Sequence, residues 1–91
     1  MNLRPVPEEV GARLRLLRQA LDHDRQTSMV AFLGKPITVQ HWNNWERGRS
    51  VPSSAQARHI AMKTRVTVDW IYWGERAGLP VQIADLLDKA A

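Results

Sequence analysis

The sequence predicts an all-α fold, and three observations lead to that prediction. Apolar residues recur at spacings of three and four in several segments, whereas no segment alternates apolar and polar residues over a useful length. Glycine and proline divide the chain into short pieces, which favours five to six helices. At 91 residues and with no Pro/Gly/Ser-rich linker, the chain is expected to form a single domain over residues 1–91.

The composition indicates a small core held by large side chains. A chain this short buries only about 60 to 65% of its unfolded surface, and this one has no cysteine to cross-link it. Four tryptophans compensate for the limited core. No apolar run approaches ~18 residues, and residues 1–9 lack the pattern of a signal peptide, so we expect a cytoplasmic protein without a membrane segment.

The first half of the chain predicts two helices. The first runs from about residue 7 to 21, since proline and acids suit its first turn and its apolar positions follow helical spacing. These positions are Val10, Leu14, Leu17 and Leu21. A second short helix ends at Gly34, and either Asp24 or Thr27 could cap its start. Its apolar residues are Met29, Phe32 and Leu33.

Four further helices follow from caps and stops. Thr38 is expected to cap a third helix that Gly48 ends, because Lys35-Pro36-Ile37 cannot easily continue the second. Ser53 and Gln56 form a capping box for a fourth helix. Thr67 caps a fifth, which Gly74 closes. A sixth covers about residues 80–90, with apolar positions Ile83, Leu86, Leu87 and Ala90.

The third helix has two different faces. At about 100° per residue, Trp42 and Trp45 project together toward one side. The polar side chains fall within an arc of roughly 100° on the other side, and they are Gln40, Asn43, Asn44 and Arg47. One face therefore suits a core, and the other suits a partner that forms hydrogen bonds.

Charge is distributed unevenly along the chain. Residues 10–65 hold ten Arg or Lys and three Asp or Glu, a balance of +7, whereas residues 66–91 hold two and four, a balance of −2. A basic body suggests a surface that faces a polyanion. The alternative at this point is that the basic residues only solubilise a small helical protein.

The second and third helices are short and are joined by a tight connection, and the third is polar on its outer face. This arrangement predicts a helix-turn-helix at about 25–47. The segments Trp45-Glu46-Arg47-Gly48, Pro52-Ser53 and Thr67–Trp70 with Gly74 resemble the repressor/Cro-type (phage-repressor-like, XRE-type) helix-turn-helix family. The resemblance covers roughly residues 8 to 74 and implies a repressor-like DNA-binding domain with its core at 7–74. Gly78-Leu79-Pro80 extends it toward small single-domain bacterial or phage members. The connection at Gly34–Ile37 is about two residues longer than is usual in that family.

The resemblance implies that residues after the cap of the third helix read bases, which matches the polar face found above. Asparagine and glutamine can each make two bonds to the major-groove edge of adenine. The base-reading candidates are Gln40 and Asn44, with Val39, His41 and Asn43 beside them. The phosphate-binding candidates are Thr38, Arg47, Arg49, Gln26 and Lys35.

The resemblance also assigns structural roles. It implies that Trp42 and Trp45 point inward with Trp70 in the core, and that Glu46 pairs with an arginine of the first helix, for which Arg18 is the candidate. Because one recognition helix reads few base pairs, a homodimer is expected. The tail helix could supply the dimer contact through Ile83, Leu86 and Leu87, or it could close the core over Trp70 or Trp73.

Together these patterns predict sequence-specific binding of double-stranded DNA by a transcriptional repressor, without cofactor, metal or small-molecule ligand. Asp22-His23-Asp24 is better explained as a polar loop than as a metal site, and no enzymatic motif is recognisable. The main alternative is a protein-interaction module, such as an antitoxin-like or adaptor helix-turn-helix domain. Binding of single-stranded RNA is a weaker alternative, because the aromatics are predicted inside.

Overall fold

The computed structural model describes residues 4–91, and most of that stretch is helical. In chain order the helices are α1 (Pro7–Ala20), α2 (Gln26–Leu33), α3 (Val39–Glu46), α4 (Ser54–Thr64), α5 (Val68–Trp73) and α6 (Val81–Ala90). Within residues 4–91 no strand is present, so the all-α class is confirmed with six helices. The molecule measures 34 × 28 × 21 Å.

Three of the predicted helix starts are confirmed by their caps. The Thr38 hydroxyl accepts a hydrogen bond from the His41 amide at 3.1 Å. The Ser53 hydroxyl accepts one from the Gln56 amide at 3.2 Å, and the Gln56 side chain accepts one from the Ser53 amide at 2.8 Å. The Thr67 hydroxyl caps α5 in the same way at 2.9 Å. Each cap satisfies an amide that the first helical turn leaves unpaired.

The predicted caps of α2 are wrong. The residue at the cap position is Arg25, whose side chain makes no capping bond. Instead, the Arg18 guanidinium of α1 donates to the carbonyls of His23 and Asp24, at 3.1 and 2.8 Å. These bonds hold the α1–α2 loop, so α2 starts at a place set by tertiary contact rather than by its own side chains.

The connection between α2 and α3 spans residues 34–38. Gly34 ends α2 with φ +74°, and its amide donates to the Val30 carbonyl at 2.8 Å. The Ile37 amide donates back to the Gly34 carbonyl at 3.2 Å, and the Lys35–Pro36 peptide bond is cis. Ile37 itself is buried, so the connection contributes to the core and is not a loose surface loop.

Helix α1 lies at the centre of the packing and contacts α3, α5 and α6. Helix α2 packs on α3 and α4, and α4 packs on α5. The large apolar side chains buried between them are Val10, Leu14, Leu17, Met29, Leu33, Trp42, Trp45, Ile60, Trp70, Ile71, Ile83 and Leu87. The inward positions predicted for Trp42, Trp45 and Trp70 are therefore confirmed.

The tail helix packs on α1, which revises the predicted dimer contact. Ile83 and Leu87 are 4% and 1% exposed, so they belong to the core of this chain and cannot form a contact with a second one. Leu86 is 40% exposed and remains on the surface. Trp73 is 47% exposed, so α6 does not close over it.

Within residues 4–91, no helix has the length and apolar character needed to cross a membrane.

Candidate nucleic-acid interface

The start of α3 is fixed by a reciprocal pair of hydrogen bonds. Besides the bond from the His41 amide to Thr38, the Thr38 amide donates to Nδ1 of the His41 ring at 3.2 Å. Because Nδ1 accepts this bond, the neutral ring carries its proton on Nε2, so any further contact of the ring to a partner is as a donor. The His41 ring also stacks on Trp45, with centroids 5.9 Å apart.

The end of α3 is closed by a left-handed glycine. The Gly48 amide donates to the Trp45 carbonyl and the Arg49 amide donates to the Asn44 carbonyl, both at 3.0 Å. With Gly48 at φ +72°, this is the Schellman arrangement that ends many helices. It places Arg47 and Arg49 on either side of the glycine, just past the last turn, and both are exposed.

The inner face of α3 packs tightly on α1. Trp42 and Trp45 are 0% and 2% exposed, and their rings meet edge to face with centroids 5.8 Å apart. Gly11 of α1 lies against the end of α3: a Cβ at this position would be 2.3 Å from the Trp45 carbonyl oxygen and 3.1 Å from that of Glu46. A glycine is therefore required for α1 and α3 to approach this closely.

A buried carboxylate joins α3 to α1. The Arg18 guanidinium donates to both oxygens of Glu46, at 2.6 and 3.0 Å, which confirms the predicted pair. Arg15 donates to the same carboxylate at 3.3 Å, and the indole N–H of Trp42 donates to it from within α3. The Glu46 side chain is only 1% exposed. Since Arg18 also holds the α1–α2 loop, one guanidinium sets the positions of both α2 and α3.

These contacts determine the charge of Glu46. Burial by itself would raise the pKa of Glu46, but hydrogen bonds from Arg18 and Trp42, the charge of Arg18 and a contribution from the Gln26 amide hold it below its usual value. The pKa of Arg18 is raised in turn, mainly by its hydrogen bond to Glu46. The pair is therefore ionised at neutral pH and is internally neutralised.

The outer face of α3 presents the predicted base-reading groups. Gln40 is exposed, and Asn43 and Asn44 are half-buried. Val39 is 39% exposed at the first position of the helix. His41 is half-buried and, as part of the capping pair, has a structural role that the sequence analysis did not assign to it. The polar side chains of Gln40, His41, Asn43 and Asn44 lie within the first six residues of α3, a helix about 12 Å long.

The phosphate-binding candidates lie at both ends of α3 and at the start of α2. Thr38 and Lys35 are exposed before the helix, and Arg47 and Arg49 are exposed after it. Gln26 is half-buried at the first position of α2, and its amide acts on Glu46, so this side chain also serves the interior. Arg47 and Arg49 are thus the charged candidates best placed to meet a backbone beside the end of α3.

The stretch of chain that contains α2, α3 and α4 exposes only positive charge, although Glu8 of α1 lies against Gly48 at the end of α3. Between Arg25 and Val68 the only acidic residue is Glu46, which is buried and paired. The basic residues of the same stretch are all exposed: Arg25, Lys35, Arg47, Arg49, Arg58, Lys63 and Arg65. Burial of Glu46 therefore leaves this stretch, which belongs to the predicted basic body, without an exposed negative charge.

The residues of the described stretch, 4–91, contain no group of three or more His, Asp or Glu placed to hold a metal ion. His23 of the Asp22-His23-Asp24 segment shares a hydrogen bond with the Ser28 hydroxyl at 2.6 Å through its Nδ1. The carbonyls of His23 and Asp24 accept from Arg18, as described above. The segment is therefore a structured loop between α1 and α2.

Sequence reasoning missed several residues that build this site. Two missed roles are that of Arg15 as a second partner of Glu46 and that of Arg18 in holding the α1–α2 loop. Both depend on contacts between residues that are distant in the sequence. Gly11 carries a signal in the sequence, because a glycine inside an otherwise regular amphipathic helix suggests close backbone approach. His59, whose ring Nε2 lies 2.6 Å from the Leu33 carbonyl at the end of α2, gave no such signal.

No protein-family model matches this sequence, and no curated protein or solved structure matches the chain. The functional interpretation therefore depends on the residues and geometry described above.

Proposed function

We propose that this protein is a repressor-like, sequence-specific binder of double-stranded DNA that regulates transcription, with α2 and α3 as its helix-turn-helix and α3 in the major groove. The observation that carries the proposal is a firmly anchored short helix whose outer face is polar and whose end is flanked by the exposed Arg47 and Arg49. A major groove about 12 Å wide admits such a helix, with the residues near its start reaching deepest.

The roles follow from the chemistry of each group. Gln40 and Asn44, one helical turn apart, each offer a donor and an acceptor to a base edge, and Asn43 lies beside them. The exposed methyl groups of Val39 suit the methyl group of thymine. Arg47 and Arg49 would contact phosphates, which fixes register but carries no sequence information. A homodimer would place two copies of α3 in half-sites about 34 Å apart.

The proposal can be tested by fluorescence anisotropy with a random-sequence duplex at several salt concentrations. We expect affinity to fall steeply as salt rises, because each neutralised phosphate releases counterions. Arg49→Ala should weaken binding to all sequences alike and reduce the slope of log affinity against log salt by about one unit.

Arg76→Ala is the matched control for this test. Arg76 is exposed but pairs with Asp88 at 2.9 Å in the acidic tail, away from α3 in the sequence, so its loss should leave the salt slope unchanged. If wild-type protein does not bind duplex at low salt, the DNA-binding proposal is wrong and the protein-interaction module is favoured. Equal effects of the two substitutions would show that the charge acts only as a diffuse field.

A further inference from the structure

An apolar groove lies where the end of α2, the end of α4 and one face of α6 meet. Its apolar walls are Leu21, Phe32, Ile83 and Leu86, and the other lining residues, Lys63, Thr64, Arg65 and Gln82, form its polar edge. The cavity has a volume of about 220 Å³, and its lining is almost wholly apolar. None of the lining residues belongs to α3 or to the segments on either side of it, so the groove shares no residue with the base-reading and phosphate-binding candidates.

Two large side chains are left accessible in this groove. Phe32 is 44% exposed and Leu86 is 40% exposed, although their neighbours Leu33 and Leu87 are fully part of the core. Exposed apolar side chains that occur singly on a surface need no explanation, but Phe32 and Leu86 line the same concavity. Met62 and Val81 are more exposed, at 75% and 72%, but they do not line the groove.

The charges at the edge of the groove have one sign. Lys63 and Arg65 are exposed, and within residues 4–91 neither forms an ion pair. The groove lining contains no Asp or Glu. An occupant that complements it would therefore bring apolar side chains for the walls and carboxylates for the edge.

The end of α4 places Arg65 beside the groove. Helices α2, α3 and α5 end in glycines with positive φ, whereas α4 ends in Arg65 at φ +73°. A residue with a Cβ is disfavoured in this left-handed conformation relative to glycine. The Arg65 amide closes α4 by donating to the Ala61 carbonyl at 2.8 Å, and the Arg65 side chain lies in the lining of the groove.

We propose that this groove binds an acidic amphipathic segment of a partner protein, whose apolar side chains enter between Phe32 and Leu86 and whose carboxylates meet Lys63 and Arg65. The volume is below the ~300 Å³ of the smallest typical small-molecule pockets and suits one or two side chains of a docked helix. The inference does not depend on DNA binding. Because the groove lies outside α3, a partner could bind while α3 remains free.

Selection from a displayed library of random peptides about 16 residues long, roughly four to five helical turns, tests the proposal on the full chain. We expect enrichment of sequences rich in Asp and Glu with apolar residues at helical spacing. Leu86→Asp should weaken the binding of a selected peptide about tenfold or more, and the double change Lys63→Glu with Arg65→Glu should weaken it comparably.

Val81→Asp is the matched control, since it puts the same charge on α6 at an exposed position outside the groove and should leave peptide affinity unchanged. Circular dichroism establishes that each variant is folded. Phe32→Asp gives a second variant on α2, should Leu86→Asp unfold the chain. Enrichment of basic peptides, or of none that distinguish wild type from these variants, would overturn the proposal.

Two further outcomes would also contradict it. Sedimentation that shows a dimer of wild-type protein, lost in Leu86→Asp but kept in Val81→Asp, would make a second copy of this chain the occupant. Displacement of a selected peptide by random duplex DNA would assign Lys63 and Arg65 to the DNA surface. We expect a peptide bound equally well with and without duplex.

Discussion

Glu46 is the residue on which the placement of α3 most depends. Its carboxylate receives hydrogen bonds from Arg18 and Arg15 of α1 and from the Trp42 indole of α3, in a site where its side chain is 1% exposed. Removing one member of a buried ion pair leaves its partners without compensation. Stability and geometry of the candidate interface should therefore both respond to this one side chain.

Glu46→Ala should lower the free energy of unfolding by about 3 kcal/mol, measured by urea denaturation at neutral pH. Glu46→Gln is the control, because its amide oxygen can still accept from Trp42 while the negative charge is lost, so we expect an intermediate loss. An unchanged unfolding midpoint in Glu46→Ala would show that the pair does not hold α3 in place.

The same residue predicts a dependence of stability on pH. The pKa of Glu46 is lowered in the folded state, so its contribution is fully present above the unfolded pKa of about 4.3 and is lost as pH falls through the lower folded value. Wild-type protein should therefore lose stability below about pH 4 more steeply than Glu46→Gln does. Parallel curves for the two proteins would contradict this.

At the scale of helices, the contact between α1 and α3 depends on Gly11. Gly11→Ala adds a methyl group against the backbone carbonyls of Trp45 and Glu46. Overpacking costs typically about 1 to 3 kcal/mol, which should outweigh the gain of about 1 kcal/mol in helix propensity. We therefore expect a lower melting temperature and, if α3 shifts, weaker DNA binding.

Ala12→Gly, at the adjacent exposed position, is the matched control for Gly11→Ala. It should cost about 1 kcal/mol through helix propensity alone and leave the α1–α3 contact and the affinity for DNA unchanged. A melting temperature raised by Gly11→Ala would mean that the two helices can separate without loss.

Helix ends show what sequence can and cannot predict. Thr38, Ser53 and Thr67 were predicted correctly because a cap joins residues only two or three positions apart. The start of α2 was not predicted correctly, because it depends on hydrogen bonds from Arg18, which belongs to another helix. The apolar positions along one face of α6 were also predicted, but their spacing does not specify which helix packs against them. In the structure α1 covers Ile83 and Leu87, and Leu86 is left for the apolar groove.

For the candidate site, the sequence predicted which residues share the outer face of α3, because a single helix fixes that by its own periodicity. It also predicted the Arg18–Glu46 pair, through the family resemblance. It did not predict the role of His41 in the cap or the close approach at Gly11. Both depend on how side chains and backbones meet in three dimensions.

At the scale of the whole molecule, exposed basic charge is concentrated in one stretch of the chain. The stretch from Arg25 to Val68 exposes only basic charge, whereas residues 66–91 hold four of the nine acids. The apolar groove lies outside α3, where α6 meets α2 and α4. We propose that the face of α3 meets duplex DNA and that the groove meets a partner protein.

The central claim is that α3 reads base sequence, and selection from a random duplex library tests it most directly. Wild-type protein should enrich a defined site made of two inverted half-sites centred about 34 Å, or roughly ten base pairs, apart. On that site Asn44→Ala and Gln40→Ala should each cost about 1 to 3 kcal/mol, with little effect on random duplex. Failure of wild-type protein to enrich any sequence, or the same losses on random duplex, would contradict the account.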